Sequence, residues 1–74
     1  MIALYDRGTK VAELAADRNG MTRQLEALTE GHAAACSIEF AVDAMVDGDW
    51  KVYDLPETSE SGRRWTRWTL RRMA

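Results

Sequence analysis

The sequence predicts an α+β fold in which a small antiparallel sheet packs on one main helix, in the element order βββαββ. Three observations lead to this prediction: a helical apolar stripe in residues 33–47, two alternating segments in residues 49–56 and 62–70, and an apolar opening punctuated by Gly8 and Gly20. The chain has 74 residues, of which 46% are hydrophobic, so we expect a single domain with a real core and little room for a deep substrate pocket.

Residues 1–31 admit two interpretations, and the element order depends on them. In a β-meander, IALYD, TKVAELAAD and MTRQLEAL are strands joined by turns at Arg7-Gly8 and Asn19-Gly20, because Asn-Gly is a strong short hairpin signal. In a helical arrangement, VAELAADR and TRQLEALTE form helices, because their residues have high helix propensity and glycines follow them. Turn chemistry and the apolar opening favour the meander.

The clearest element is a helix from about Ala33 to Asp47, AAACSIEFAVDAMVD. Its apolar residues recur at spacings of three and four, which places them on one stripe. Gly48 follows at the position where a glycine commonly ends a helix. The stripe that is expected to face the core contains Ala34, Ile38, Ala41, Val42 and Met45.

The opposite side of this helix is acidic, and it also carries the aromatic residue Phe40 and the thiol of Cys36. A second element that covers this face is one explanation. The other is an exposed aromatic anchor within an acidic rim, an arrangement that protein interfaces often use. Such a face could also imitate the charge of nucleic acid toward a basic partner. The predicted partner contacts on this face are Glu39, Phe40, Asp43 and Asp47.

The segments DWKVYDLP and GRRWTRWTL predict a β-hairpin with the polar loop ETSES, because both alternate and both are rich in aromatic and β-branched residues. Successive side chains of a strand point to opposite faces. Trp68 and Leu70 are therefore expected in the core, whereas Trp65, Arg67 and Arg71 are expected on the surface.

Residues 62–73, GRRWTRWTLRRM, form a basic strip with two tryptophans. Residues 1–62 hold all 12 acidic residues and five basic ones, a net charge of −7, whereas residues 63–74 hold five arginines and no acid. Such a strip could dock on a protein, stack on bases while gripping phosphates, or lie beside acidic elements of its own chain. The predicted partner contacts in the strip are Trp65, Arg67 and Arg71, with Arg63 and Arg64.

Motif analysis argues against catalysis. His32 and Cys36 are four residues apart, but no orienting group or oxyanion site accompanies them. Asp47-Gly48-Asp49 lacks the further oxygen ligands of a calcium loop, and no CxxC pair, HExxH or phosphate-binding loop occurs. We therefore predict a protein that is not an enzyme and that needs no metal or cofactor. One cysteine, no signal peptide and no apolar run of about 18 residues predict a cytoplasmic protein that is not in a membrane.

The opening IALYDRGTK…RNG followed by a helix resembles the start of small phage-encoded anti-CRISPR proteins of the type I-F class. The resemblance covers roughly residues 2–40, and the C-terminal half departs from it. It implies a stoichiometric inhibitor that binds a bacterial CRISPR effector complex. The positions that carry it are Ile2, Ala3, Tyr5, Gly8, Lys10, Asn19 and Gly20.

SIEFAVDAMVDGDWKVYDLPETSESGRRWTRWTL also resembles a recognition helix followed by the wing of a winged helix-turn-helix domain. That resemblance implies a small DNA-binding transcription regulator. The helix in residues 33–47 contains no basic residue, however, and its acids would repel a phosphate backbone.

The predicted function is non-enzymatic inhibition by protein binding, with a host protein complex such as a CRISPR effector as the partner. A winged-helix regulator that binds nucleic acid is the alternative. The aromatic content is high for so small a core, so some aromatic side chains could instead be buried between two copies of the chain in a homodimer.

Overall fold

The computed structural model describes residues 1–58 and 64–73, and of residues 64 and 65 it describes the backbone. Its sheet is antiparallel, with strand order β2-β1-β4-β3, and the helices pack against it around one core. The predicted α+β class is confirmed. None of the helices in the described part of the chain is long and apolar enough to cross a membrane. The elements are β1 (Ile2–Asp6), β2 (Thr9–Leu14), α1 (Arg18–Thr29), α2 (Ala35–Val42), a π-helical turn (Asp43–Asp47), β3 (Val52–Thr58) and β4 (Arg64–Arg72).

The predicted order βββαββ is wrong in its third element, because residues 21–28 belong to helix α1 and the order is ββααββ. Asn19-Gly20 lies in the first turn of α1 instead of a hairpin turn. The Asp17 carboxylate accepts a hydrogen bond from the Gly20 amide at 2.7 Å, which caps the helix. Met21, Leu25 and Thr29, spaced four apart, are all buried. Helix propensity and this buried stripe therefore outweigh the local turn chemistry.

The first hairpin forms as predicted. Arg7 and Gly8 both have positive φ angles, 52° and 87°, as a two-residue turn with the twist of the flanking strands requires. β1 then pairs with β4 on its other side, so it lies inside the sheet. Ile2 and Leu4 are consequently buried.

The winged helix-turn-helix alternative is wrong. A winged domain would need two helices in residues 9–30, but only α1 lies there, because Thr9–Leu14 is strand β2 of the hairpin. The last strand is also more than a wing, because residues 68–72 of β4 pair with all of β1. The apolar opening of the chain is the physical reason, since a strand between two others buries its side chains efficiently.

The predicted core positions are confirmed in β4, where Trp68 is 1% exposed and Leu70 is fully buried. In the long helix, α2 begins at Ala35, two residues later than predicted, and the π-helical turn extends it to Asp47. Of the predicted stripe, Ile38, Ala41, Val42 and Met45 are buried as expected, whereas Ala34 is half-buried because it precedes the helix in an extended conformation, and Ala33 is buried instead. The core is formed by Ile2, Leu4, Leu14, Met21, Leu25, Ala33, Ile38, Ala41, Val42, Met45, Leu55, Trp68 and Leu70.

Asp17→Ala is expected to lower the free energy of unfolding by about 1 kcal/mol, because the capped amide of Gly20 would lose its acceptor. Urea denaturation followed by circular dichroism would measure the change. Asp17→Ser keeps a capping oxygen and serves as the control, with a loss of less than about 0.5 kcal/mol expected. An alanine variant as stable as the serine variant would contradict the assigned cap.

Candidate protein-binding surface

An open depression with aromatic side chains lies where the π-helical turn meets the start of β3. Phe40 is 63% exposed and Trp50 is 54% exposed, although both are large apolar residues. Tyr53 is half-buried beside them. A covering element over Phe40, one of the two explanations drawn from the sequence, is therefore not found in the described part of the chain. The depression is lined by Phe40, Asp43, Ala44, Asp47, Gly48, Trp50 and Tyr53, and we call it the aromatic–acidic surface.

The helix sets the position of Phe40. The side chains of Ile38, Ala41 and Val42 are buried against the sheet. Phe40 lies on the opposite side of the helix, so its side chain points away from the core. Phe40 consequently reaches solvent at the rim of the depression, beside Asp43.

Trp50 is positioned by contacts with the end of the π-helical turn. Its backbone amide donates to the carbonyl of Ala44 at 3.0 Å. Its ring lies against Gly48, where an added Cβ would come within 2.9 Å of the indole Cδ1. The ring centroids of Trp50 and Tyr53 are 5.7 Å apart at an interplanar angle of 52°, an ordinary aromatic contact. Gly48, expected only to end a helix, thus also makes room for this indole.

Arg18, at the start of α1, joins the two aspartates of the surface. Its guanidinium donates to Asp43 at 2.5 Å and also to Asp47. These hydrogen bonds, that to Asp43 foremost, raise the pKa of Arg18 above its ordinary value. The side chain of Asp43 is 47% exposed and that of Asp47 is 67% exposed, so both carboxylates keep acceptor sites toward solvent.

Glu39 lies on a different part of the helical layer. It lines a polar groove between α1 and α2, together with Arg23 and Glu26. Arg18 borders both that groove and the aspartates, so the two regions are neighbours. Of the predicted acidic helix, the structure therefore brings Phe40, Asp43 and Asp47 together and leaves Glu39 beside them.

Arg67 of the basic strip is engaged within the chain. Leu55 pairs with Trp68 and Pro56 pairs with Thr66, so Arg67 is a bulged residue that faces no partner on β3. Its guanidinium donates to Asp6 at 3.0 Å and to Glu57, and it lies 4.6 Å from the centre of the Trp68 ring. Only 18% of its side chain is exposed. The predicted free surface position is thus a structural ion pair, the third explanation offered for the strip.

Arg72 is likewise used internally, since it donates to the backbone carbonyls of Met45 and Trp50. Arg71 is exposed and borders a second depression with Tyr5 and Thr69, whereas its neighbour in sequence, Leu70, faces the core. Arg63 and the side chains of Arg64 and Trp65 lie outside the described residues. Of the strip, the structure therefore brings Arg72 next to the end of the acidic helix, whereas Arg67 lies with Asp6 and Glu57.

The sequence analysis does not identify two residues of the aromatic–acidic surface, Trp50 and Tyr53, or the arginine that pairs with its aspartates, Arg18. The alternation in WKVY predicts only that Trp50 and Tyr53 belong to a strand of the hairpin, and no pattern in the sequence indicates a role for Arg18. The signal for Trp50 was the preceding DGD, a turn sequence that keeps it out of the strand. Arg18 had no local signal, because it meets Asp43 and Asp47 across at least 25 residues of sequence.

Acid should weaken the fold through Asp6. The hydrogen bond from Arg67 lowers the pKa of Asp6 below its ordinary value of 3.8. A lowered pKa stabilises the folded state above the unfolded pKa, and this stabilisation is lost as the pH falls through the folded pKa. We therefore expect the stability difference between the wild type and Asp6→Asn to shrink from pH 6 to pH 3 in urea denaturation. A difference independent of pH would contradict the assignment.

The described residues contain no group of three or more histidine, cysteine, aspartate or glutamate side chains that could hold a metal ion. The arrangement offers flat aromatic faces and carboxylates, which suit binding to another macromolecule. Comparisons of the chain with protein-family models, curated proteins and solved structures find no match.

Proposed function

We propose that this protein is a non-enzymatic inhibitor that acts by binding a protein complex through the aromatic–acidic surface. The observation that carries the proposal is the exposure of Phe40 and Trp50, which both line the depression. Exposed aromatic rings framed by polar groups are typical of the energetically dominant centres of protein interfaces.

The charge of the surface favours a basic partner. Asp43 and Asp47 share one guanidinium, so an excess negative charge remains beside the aromatic rings. A complex that handles nucleic acid presents basic grooves, and an acidic surface competes for such grooves. The resemblance of residues 2–40 to type I-F anti-CRISPR proteins supports a CRISPR effector as this complex. The first hairpin agrees with that resemblance, whereas Asn19-Gly20 lies in a helix.

Direct binding of nucleic acid has less support. The acidic surface would repel phosphates, and the architecture of a winged domain is lacking. Arg67 and Arg72 of the strip already bind groups of their own chain. Among the described side chains of the strip, Arg71 is the one exposed arginine, and one arginine provides little of the charge that a phosphate backbone requires.

Phage plating tests the proposal. Expression of the chain in bacteria with an active type I-F CRISPR system should restore the plating of a phage that the system targets. Phe40→Ala should reduce this restoration strongly, because it removes an exposed ring without touching the core. Purified effector complex should correspondingly bind the wild type more tightly than the variant.

Leu28→Ala is the matched control, since Leu28 is another exposed apolar residue, 39% exposed, on helix α1. It should plate like the wild type. Accumulation of folded wild-type protein without any change in plating would rule out the CRISPR effector as the target. Equal activity of the Phe40 and Leu28 variants would show that the aromatic–acidic surface is not the binding site.

A further inference from the structure

We infer that the aromatic–acidic surface binds an arginine side chain of the partner protein, which lies against the exposed aromatic side chains of Phe40 and Trp50 and pairs with Asp43 and Asp47. This inference rests on the proposed function, because it names the group that the same surface would bind. It is carried by two independent properties of the depression, its aromatic faces and its carboxylates.

The aromatic faces attract cations. The face of a tryptophan or phenylalanine ring is electronegative, and a guanidinium that stacks on it is stabilised without losing its in-plane hydrogen bonds. The described residues already include such a contact, where the guanidinium of Arg67 lies 4.6 Å from the Trp68 ring centre. Trp50 and Phe40 offer comparable faces to solvent, since each is more than half exposed.

The carboxylates select a cation over an apolar side chain. An apolar occupant would cover Asp43 and Asp47 without pairing their free oxygen sites, which is unfavourable. A planar guanidinium has five N–H donors, so it can stack on a ring and still reach a carboxylate at the rim. A lysine ammonium offers a single point charge and stacks less well. Arginine therefore fits both properties best.

Arg18 acts as an internal competitor for the same carboxylates. It donates to both Asp43 and Asp47, while its own side chain is 42% exposed. An incoming arginine shares these carboxylates with Arg18, so removal of Arg18 should strengthen binding. Arg23→Gln removes the same charge from the exposed surface of α1, and it separates this local effect from the change in net charge.

The arginine is assigned to a partner instead of a second copy of this chain. Within the basic strip, Arg67 and Arg72 are already occupied by Asp6, Glu57 and backbone carbonyls. A second copy would have to break these contacts to offer those two side chains. Arg71 is the exposed arginine of the strip among the described residues, so self-association through Arg71 is the competing outcome. Sedimentation of the wild type at increasing concentration is expected to show a monomer, and a dimer that Arg71→Ala dissociates would contradict the assignment to a partner.

The test uses three synthetic peptides that alternate glycine with arginine, lysine or citrulline, which has the shape of arginine without its charge. Binding would be followed by the NMR signals of the Trp50 indole N–H and the Phe40 ring. The arginine peptide should shift these signals at the lowest concentration, the lysine peptide less, and the citrulline peptide least. Phe40→Ala and Asp47→Asn should each weaken arginine-peptide binding by about fivefold.

Arg18→Gln should tighten arginine-peptide binding by about two- to fivefold, whereas Arg23→Gln and Glu26→Gln should change it by less than about twofold. Citrulline binding equal to arginine binding would overturn the inference. So would binding that ignores Phe40, because it would be diffuse charge attraction, and so would a dimer that Phe40→Ala dissociates. If phage plating depends on Phe40 while the citrulline peptide binds as well as the arginine peptide, the proposed function stands and the arginine assignment falls.

Discussion

Replacement of Trp68 by alanine is expected to remove a large part of the free energy of unfolding. Trp68 is 1% exposed and lies where β4 pairs with both β1 and β3. Removal of a buried tryptophan side chain costs about 3–5 kcal/mol through lost burial and the cavity left behind. A domain of this length has only roughly 4–11 kcal/mol of stability, so the loss is a large part of the total. Thermal unfolding followed by circular dichroism should show a midpoint lower by at least about 12 °C.

Trp50 supplies the matched control for this experiment, because it is the same residue type but 54% exposed. Trp50→Ala is expected to cost less than about 1 kcal/mol, since much of its ring is already in water. The two variants together separate the tryptophan of the core from the tryptophan of the proposed surface. Equal melting temperatures of Trp68→Ala and the wild type would mean that the sheet does not have the register described.

Replacement of Arg67 by alanine is expected to cost on the order of 2 kcal/mol, between the values for exposed and buried ion pairs. Asp6 is 25% exposed and Glu57 is 16% exposed, so both carboxylates would remain partly buried without their cation. The contact with the Trp68 ring would also be lost. Urea denaturation at pH 7 would measure the effect.

Arg71→Ala is the control, since Arg71 belongs to the same strand but is exposed, and its loss is expected to change stability by no more than about 0.5 kcal/mol. The double variant with Asp6→Asn should show an interaction energy of about 1 kcal/mol with Arg67→Ala. Additive effects of the two substitutions would contradict the ion pair. An equal loss of stability in Arg67→Ala and Arg71→Ala would mean that Arg67 lies on the solvated surface, as strand alternation predicts.

These two experiments bear on the location of function. The basic strip was the most conspicuous feature of the sequence, yet two of its arginines hold the sheet and the helix end together. The exposed aromatic side chains instead line a depression together with Asp43 and Asp47. The proposed binding surface therefore draws on the acidic helix, with Trp50 and Tyr53 added to it.

The sequence by itself determined the features that depend on local periodicity. The α+β class, the hairpin at Arg7-Gly8, the apolar stripe of the long helix and the burial of Trp68 and Leu70 all follow from spacing and turn chemistry. The exposure of Phe40 was one of two alternatives, because periodicity indicates the outer side of a helix but not what covers it.

Tertiary structure decided the rest, because the deciding contacts join residues far apart in the chain. Residues 21–28 are helical because a helix buries Met21 and Leu25 in the core. Local helix propensity favours a helix and the Asn-Gly signal favours a turn, so local signals alone do not decide between them. Arg67 is mostly buried and not on the open surface, because it lies at a bulge in β4 and binds Asp6, which is 61 residues away in sequence. Arg18 likewise binds Asp43 and Asp47, which are 25 and 29 residues away in sequence. Side-chain neighbours across the fold depend on strand order and helix packing, and a pattern within one segment does not encode them.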